Sequence, residues 1–507
     1  MDLKKFKIII IGIKIIKKMT ASGESLSGKT ARGTFWVLAL RITDRLFKLF
    51  GIIILARILS PDDFGIFGIA LLVLAIIGSF SQTGYLQALI QKKENTRLYF
   101  DTAWTVRVIR AGLIAIIVFF MAEPAASFFK APGAENILRV IGLSIIIQSL
   151  GNIAVIYFQK ELKFHKFFKY QFIGTIIEFI VSVTAAYLLR SVWALVLGLL
   201  AGNLTRLAMS YVVDPYRPRF KFVKKQAKEL FGFGKWVLGS SILIFFIIQG
   251  DDIFIGSLLG AAMLGFYQMA YRISNTPAAE TTHVVSRISF PLYAKLQDDL
   301  PKLRDAYLKI LQLVTFISFP LSGFIIVLAP EFTRLFLGEQ WMPAVPAMQA
   351  LALAGLIRSI ITTTIPLFRA VGKPKIETRW QVLRLVIIII MIYPLTARYG
   401  ITGTSITIAL SAFISSIGFC TQIIKLIKCR VWTFGRLLIM PLANSIITSL
   451  SLYILKFYIN GENIAGFILL LFIGLLIFLG INLIFDRFLG YRIRSLFNEV
   501  MTSFIKG

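Results

Sequence analysis

Four charged residues interrupt an apolar run near the start of the chain. Arg41, Asp44, Arg45 and Lys48 lie within residues 35–59, which otherwise predict a membrane-spanning helix. The three cations are spaced i, i+4 and i+7, so they share one helical face, and Asp44 is one turn from Lys48. A cation at mid-bilayer costs roughly 2.5–3.5 kcal/mol, so three cations facing lipid would nearly cancel the hydrophobic gain of the span. We call Arg41, Arg45 and Lys48 the cationic strip. The strip predicts a wet surface that is suited to binding an anion.

Snorkelling is the structural alternative for the cationic strip. Arg41 and Arg45 follow a basic N-terminal segment, and long cationic side chains near helix ends extend to the lipid headgroups. Lys48 lies about 20 Å into the predicted span at about 1.5 Å per residue, which is further than its side chain extends. The position of Lys48 favours an interior, anion-binding face.

Further charged residues fall inside predicted spans of both halves of the chain. The additional candidates for substrate binding are Arg107, Arg110, Arg272 and Arg358. The candidates for ion coupling are Asp44, Glu178, Asp251, Asp252 and Glu280, because a carboxylate at membrane depth must be protonated or paired with a cation. Asp44 is expected to be an internal partner of the strip rather than a proton carrier. Snorkelling remains an alternative for Arg107, Arg110 and Arg384, and contact with the outer headgroups for Asp251 and Asp252.

The composition predicts an all-α polytopic membrane protein. Of the 507 residues, 57% are hydrophobic and 16% are charged, and the mean hydropathy is +0.79. Apolar runs of about 20 residues predict about fourteen transmembrane helices. They lie near 35–59, 64–90, 103–122, 137–158, 169–189, 191–213, 236–258, 263–290, 306–329, 344–370, 381–397, 401–427, 436–457 and 464–485.

The distribution of Lys and Arg predicts the orientation. Starting with the N-terminus, alternate connections hold most of these cations, whereas the other connections hold only Lys130, Arg190, Arg334 and Arg398. The positive-inside rule therefore predicts that both termini lie in the cytoplasm. The protein is expected in the cytoplasmic (inner, plasma) membrane. The formal net charge of +30 then belongs largely to one membrane face and requires no nucleic acid as a partner.

The predicted segments follow from these spans. Residues 214–235, which are rich in Lys and Arg, predict a cytoplasmic amphipathic helix that links two six-helix lobes. The segments are an interfacial N-terminal region (1–32), an N-lobe (33–213), the linker (214–235), a C-lobe (236–427), two further helices (428–485) and a cytoplasmic tail (486–507).

Several other functions are disfavoured by the sequence. Residues 23–30 match the phosphate-loop pattern, but that pattern binds phosphate only between a strand and a helix of an α/β domain, and the next residues enter the membrane. No nucleotide is therefore expected. Cys420 and Cys429 are the only cysteines and predict neither a disulfide framework nor a metal site. No connection is long enough for a glycosyltransferase or polymerase domain, so no enzymatic activity is expected.

Three stretches resemble a known family. Residues 55–65 (LARILSPDDFG), 84–91 (GYLQALIQ) and 251–267 (DDIFIGSLLGAAMLGFY) are similar to the polysaccharide transporter family of O-antigen and exopolysaccharide flippases. That family belongs to the multidrug/oligosaccharidyl-lipid/polysaccharide (MOP) flippase superfamily. The resemblance implies two six-helix lobes around a central cavity, alternating access, and a polyprenyl-pyrophosphate-linked oligosaccharide as the substrate.

The charge balance separates the transport hypotheses. An anionic pyrophosphate needs cations at membrane depth, and cations exceed carboxylates within the predicted spans. A multidrug cation antiporter would be expected to show the opposite balance, whereas a peptidoglycan-precursor (lipid II) flippase would show a similar one. We expect no cofactor, and coupling to Na⁺ or H⁺ is open. Membrane lipids, and glycosyltransferases and a polymerase of the same pathway, are the expected partners.

Overall fold

The computed structural model describes residues 26–80, 96–155, 158, 164–224, 245–275, 289–491 and 493–494. Throughout these ranges the chain forms helices joined by turns and short connections, with no β-strand. The chain divides into two compact units, Met1–Gly250 and Asp251–Gly507. Glu280 and the N-terminal segment through residue 25 lie outside the described residues.

The first unit is built from six helices and the start of a seventh. They are α1 (Leu26–Ile58), α2 (Pro61–Phe80), α3 (Phe100–Phe128), α4 (Ala134–Leu150), α5 (Phe164–Leu189), α6 (Trp193–Val213) and α7 (245–259), whose residues from Asp251 onward belong to the second unit. Residues 26–30 of the phosphate-loop pattern lie inside α1.

The second unit continues with seven further long helices. They are α8 (Ala261–Ser274), α9 (Leu300–Phe332), α10 (Val345–Ala370), α11 (374–399), α12 (401–426), α13 (Val431–Leu455) and α14 (Ile464–Leu489), with a short helical segment at 289–296. Each of the fourteen predicted spans overlaps one of these helices, so the predicted all-α, multi-span fold is confirmed. Within the described ranges, nine continuous helices are long and apolar enough to cross a membrane, and α11 with α12 counts as one of them.

Gly400 separates α11 from α12. Its backbone has φ +58° and ψ −142°, a conformation that is open essentially only to glycine. Thr396 and Thr404 lie on either side of this break, and their hydroxyl oxygens are 2.7 Å apart. The two helices therefore pack against each other immediately after the chain reverses.

The motif at residues 55–65 ends α1 and begins α2. Asp63 accepts hydrogen bonds from the Ser60 backbone N–H (2.9 Å) and the Ser60 hydroxyl (2.7 Å), and its own N–H donates to Ser60 Oγ (3.2 Å). This reciprocal arrangement caps the first turn of α2. The second carboxylate oxygen of Asp63 accepts from the N–H of Val192 at the start of α6 (2.8 Å). One side chain of the motif thus joins two helix starts.

The prediction of an amphipathic helix at 214–235 is wrong for residues 214–223, which are not helical. Pro215 and Pro218 each lack the N–H that a helix interior requires. The segment instead runs along α3, where Asp101 Oδ1 accepts from the Tyr216 hydroxyl (2.6 Å) and the Arg219 N–H (2.9 Å). Further along, the Lys221 N–H donates to Thr105 Oγ1 (3.0 Å). Residues 225–235 lie outside the described part of the chain.

Candidate functional site

The described cations of the strip on α1 are exposed. Arg45 and Lys48 are accessible in the first unit, and the Lys48 ammonium lies 2.8 Å from the Asp44 carboxylate one turn away. The Lys48 side chain is 66% exposed, so this ion pair lies on the surface of the unit and not in its packed interior. Arg41 occupies the preceding turn of the same helix. The described cations Arg45 and Lys48 therefore lie on an exposed part of α1, and Asp44 offsets part of their charge.

Arg107 and Arg110 on α3 bind backbone carbonyls within the first unit. Arg107 donates to the carbonyl of Ser149 (Nε to O, 2.9 Å) and to that of Gly151, at the C-terminal end of α4. Carbonyls at a helix C-terminus lack helical partners and carry partial negative charge. Arg110 donates to the carbonyl of Gly78 near the end of α2 (3.1 Å). Both guanidinium groups therefore hold helices together in addition to any contact with a substrate.

Glu178 has a cationic partner inside the first unit. Its Oε2 lies 2.7 Å from Nη2 of Arg206, which links α5 to α6. The guanidinium of Arg206 also donates to Asn203 Oδ1 (3.3 Å) and Thr175 Oγ1 (3.5 Å). Gly202 lies so close to Glu178 that a Cβ atom would not fit between them. The two helices therefore approach closely here. Arg206 thus supplies the partner that a carboxylate at this depth requires.

Asp251 is a buried carboxylate in the second unit, with only 7% of its surface exposed. Its Oδ2 accepts a hydrogen bond from the Tyr267 hydroxyl (2.6 Å), and its Oδ1 accepts from the Asp252 N–H (3.1 Å). Asp252 interacts electrostatically with Arg272, whose side chain is exposed. The interior environment of Asp251 replaces the alternative in which it touches the outer headgroups.

Arg358 on α10 donates to one side chain of α8 and to the side chain of its C-cap residue. Its Nη1 lies 2.9 Å from the Tyr271 hydroxyl and 2.9 Å from Asn275 Oδ1. Tyr267, Tyr271 and Asn275 are spaced by four residues, which places all three on one face of α8. Polar residues at this spacing in an otherwise apolar helix are a signal in the sequence. The partners of Asp251 and Arg358 could have been predicted from it.

Arg384, for which snorkelling was an alternative, is buried in the same region. It is 8% exposed, and its Nε has no hydrogen-bond partner among the described residues. Arg384 and Arg358 line a small cavity together with Tyr271 and Asn275. The two arginines and Asp251 interact electrostatically, so α7, α8, α10 and α11 contribute to one charged cluster. Snorkelling of Arg384 is therefore wrong.

Comparison with solved structures defines the class of protein. The fold is similar to that of the lipid II flippase MurJ in an inward closed conformation, with a TM-score of 0.72 at 16% identity over 89% of this chain and 99% of that chain. It is also similar to an inward-facing multidrug resistance MATE family transporter of the MOP superfamily, with a TM-score of 0.58 at 16% identity over 76% and 94%. The chain is thus a multi-pass helical membrane protein with the MurJ- and MATE-like fold.

Comparison with known sequences defines the family. Residues 54–346 match the family described as polysaccharide biosynthesis protein. The succinoglycan biosynthesis transport protein ExoT of Rhizobium meliloti (strain 1021) is 30% identical over 334 residues, which cover 66% of this chain and 67% of ExoT. The lipopolysaccharide biosynthesis protein WzxC of Escherichia coli (strain K12) is 26% identical over 362 residues, which cover 71% and 74%. The chain belongs to the polysaccharide biosynthesis protein family.

Proposed function

We propose that this protein is a flippase that moves polyprenyl-pyrophosphate-linked oligosaccharide units across the cytoplasmic membrane for polysaccharide biosynthesis, by alternating access. The observation that carries the proposal is the 30% identity to ExoT, a protein named for succinoglycan transport. The match covers about two thirds of each chain. The similarity to WzxC, named for lipopolysaccharide biosynthesis, supports the same substrate class. The family contains transporters rather than enzymes, and we propose no catalytic step for this chain.

The charged side chains support an anionic substrate. A pyrophosphate at membrane depth needs cationic hydrogen-bond donors to offset its desolvation. The proposed substrate-binding residues are Arg41, Arg45, Lys48, Arg107, Arg110, Arg272 and Arg358. Of the described side chains, Arg45, Lys48 and Arg272 are exposed, whereas Arg107 and Arg110 donate to backbone carbonyls. This cationic set disfavours a multidrug cation substrate.

We propose that transport is coupled to Na⁺ or H⁺ and requires no cofactor. The proposed coupling carboxylates are Asp44, Glu178, Asp251, Asp252 and Glu280. Of these, Asp251 and Asp252 are adjacent in a mostly buried site, but Arg358 and Arg272 respectively interact with them and would compete with an incoming cation. Glu178 would have to release Arg206 before it could take up an ion.

We propose a location in the cytoplasmic membrane with both termini inside, next to the pathway's glycosyltransferases and polymerase. The orientation is supported by the Lys and Arg asymmetry of the connections. Lys224→Cys, in a protein whose Cys420 and Cys429 are replaced by Ser, should react with a membrane-impermeant maleimide only after the cells are permeabilised. Labelling of this cysteine in intact cells would reverse the orientation.

The flippase proposal is tested in cells that lack the gene. Deletion should abolish the extracellular polymer and leave lipid-linked oligosaccharide accumulated on the cytoplasmic face, and the gene supplied in trans should restore export. Unchanged polymer and unchanged lipid-linked intermediates in the deletion strain would refute the proposal. The alternative is tested separately, because a lipid II flippase would sustain growth of cells depleted of MurJ whereas the proposed flippase should not.

A further inference from the structure

A small cavity in the second unit presents two arginines to its interior. Among the described residues that line it, Arg358 and Arg384 are the charged ones, and the polar side chains of Tyr271 and Asn275 complete this part of the wall. The remaining wall consists of small and apolar residues of α10 and α12. The cavity is therefore a site for a group that accepts hydrogen bonds and carries negative charge.

The hydrogen bonds of the two arginines are unequally satisfied. Arg358 has Tyr271 and Asn275 as acceptors, each at 2.9 Å. Arg384 is 92% buried, since only 8% of its surface is exposed, yet its Nε has no acceptor in the described part of the chain. A guanidinium carries five N–H donors, and a buried donor without an acceptor destabilises the folded protein. Arg384 is thus a buried cation that an additional acceptor would stabilise.

The charges around the cavity are also unbalanced. Asp251 is the carboxylate that interacts electrostatically with both Arg358 and Arg384. One of its oxygens already accepts from Tyr267, and the neighbouring Asp252 interacts with Arg272 rather than with this arginine pair. The cluster of Asp251, Arg358 and Arg384 therefore has a formal charge of about +1, and burying such an excess is costly without a counter-ion.

The size of the cavity restricts the counter-ion. The space left inside it has room for about one water-sized particle. A pyrophosphate or an organic anion is too large, whereas a single small ion fits. We propose that the cavity between Arg358 and Arg384 binds one small monovalent anion, chloride in cells, which accepts from the unpartnered Arg384 Nε and neutralises the cluster. In this proposal Arg358 binds the small anion, and the pyrophosphate of the proposed substrate contacts the other proposed cations.

The proposal is tested by the thermal stability of the purified full-length protein in detergent. Chloride is titrated against gluconate at constant sodium and ionic strength, for the wild type, Arg384→Gln and Arg369→Gln. Arg369 is a control because it lies at the end of α10, outside the cavity, and pairs with Glu377 on the surface (2.7 Å). We expect a saturable rise in Tm with chloride for the wild type and for Arg369→Gln, and its loss in Arg384→Gln.

Two outcomes would overturn the proposal. They are an equal Tm of the wild type in chloride and in gluconate, and an undiminished chloride effect in Arg384→Gln. If Arg384→Gln does not fold, chloride-35 NMR of the wild type decides. Excess line broadening that bromide displaces and gluconate does not displace supports the site, and its absence refutes it.

Discussion

Glu178 on α5 and Arg206 on α6 form an ion pair with 2.7 Å between Oε2 and Nη2. The side chains are 35% and 21% exposed, so the pair is neither fully wet nor fully buried. Removing one partner leaves the other charge with poorer solvation than water gives. The pair therefore links α5 to α6 at a point where the two helices lie close together.

The first prediction is that Arg206→Gln destabilises the protein more than Arg206→Gln combined with Glu178→Gln. The single variant leaves the Glu178 carboxylate without its cation, at a cost of about 1–3 kcal/mol, between the values for exposed and buried pairs. The double variant removes both charges. Thermal unfolding of the purified proteins in detergent measures the difference. Equal Tm values for the single and double variants would show that the pair contributes nothing.

The second prediction concerns the close approach of α5 and α6 at Gly202. A Cβ atom at this position would lie 2.8 Å from the Cβ of Glu178, which is closer than side chains can pack. Gly202→Ala should therefore destabilise the protein by about 1–3 kcal/mol, although alanine is the better helix former. Gly112→Ala is the matched control, since no atom lies within 4 Å of its Cβ position. A Tm for Gly202→Ala equal to that of Gly112→Ala would contradict the packing.

The helices could be predicted from the sequence, but their partners could not. Hydrophobic length is a local property, because a membrane span must satisfy its backbone hydrogen bonds within its own residues. Each of the fourteen apolar runs therefore overlaps a helix in the described part of the chain. Whether Arg384 reaches the headgroups or lies inside the unit depends instead on which helices surround α11. The partners of Arg107 and Glu178 are likewise 28 or more residues away in the chain.

The connection at 214–223 shows the limit of pattern reasoning. Its basic and apolar residues suit a helix at the membrane surface, but Pro215 and Pro218 oppose one, and Asp101 offers acceptors to an extended chain. The local proline signal was present in the sequence. The stabilising contact with α3 could be recognised only in the folded unit.

The third prediction is that Asp63→Ala destabilises the first unit and Asp62→Ala does not. Asp63 caps α2 through Ser60 and also accepts from the Val192 N–H, whereas Asp62 is exposed. Loss of the cap and of the acceptor for Val192 should together cost about 2–4 kcal/mol. The exposed substitution should change stability by about 0.5 kcal/mol or less. Thermal unfolding and the yield of membrane-inserted protein measure both effects. Similar losses for the two variants would exclude the capping role.

The fourth prediction is that Asp101 protects the 214–223 segment from trypsin. Asp101→Ala should expose the bonds after Arg219 and Lys221 in membranes that are open to the protease, and Asp101→Asn should protect better than Asp101→Ala because its oxygen still accepts. Burial and the hydrogen bond to Asp101 raise the pKa of Tyr216 above its usual value.

A raised pKa means that the contact of Tyr216 is fully present below the ordinary tyrosine pKa, near 10, and is lost only when the pH rises through the higher folded value. The protection should therefore change little between pH 8 and pH 10. The measurement is the half-life of the intact chain at both pH values. Suppose that the wild type is cleaved rapidly at pH 10, whereas Tyr216→Phe is cleaved at the same rate at pH 8 and pH 10. Ionisation of Tyr216 would then release the segment below pH 10, which would contradict its raised pKa.

The last prediction is that the cationic strip of Arg41, Arg45 and Lys48 binds the substrate's pyrophosphate. Three like charges on one face of α1 repel one another and are only partly offset by Asp44, which pairs with Lys48, so a bound anion relieves the repulsion. Loss of one charge-assisted hydrogen bond of roughly 1.5–3 kcal/mol corresponds to about a ten- to hundredfold weaker apparent affinity. Arg45→Lys should be milder than Arg45→Ala, but still impaired if the guanidinium binds two phosphate oxygens at once.

The triple alanine variant should lose polymer production at normal membrane levels, whereas alanine at the exposed cations Lys373, Lys375 and Arg379 should not. Normal polymer from the well-expressed triple variant would remove the strip as a binding site and leave snorkelling as its explanation.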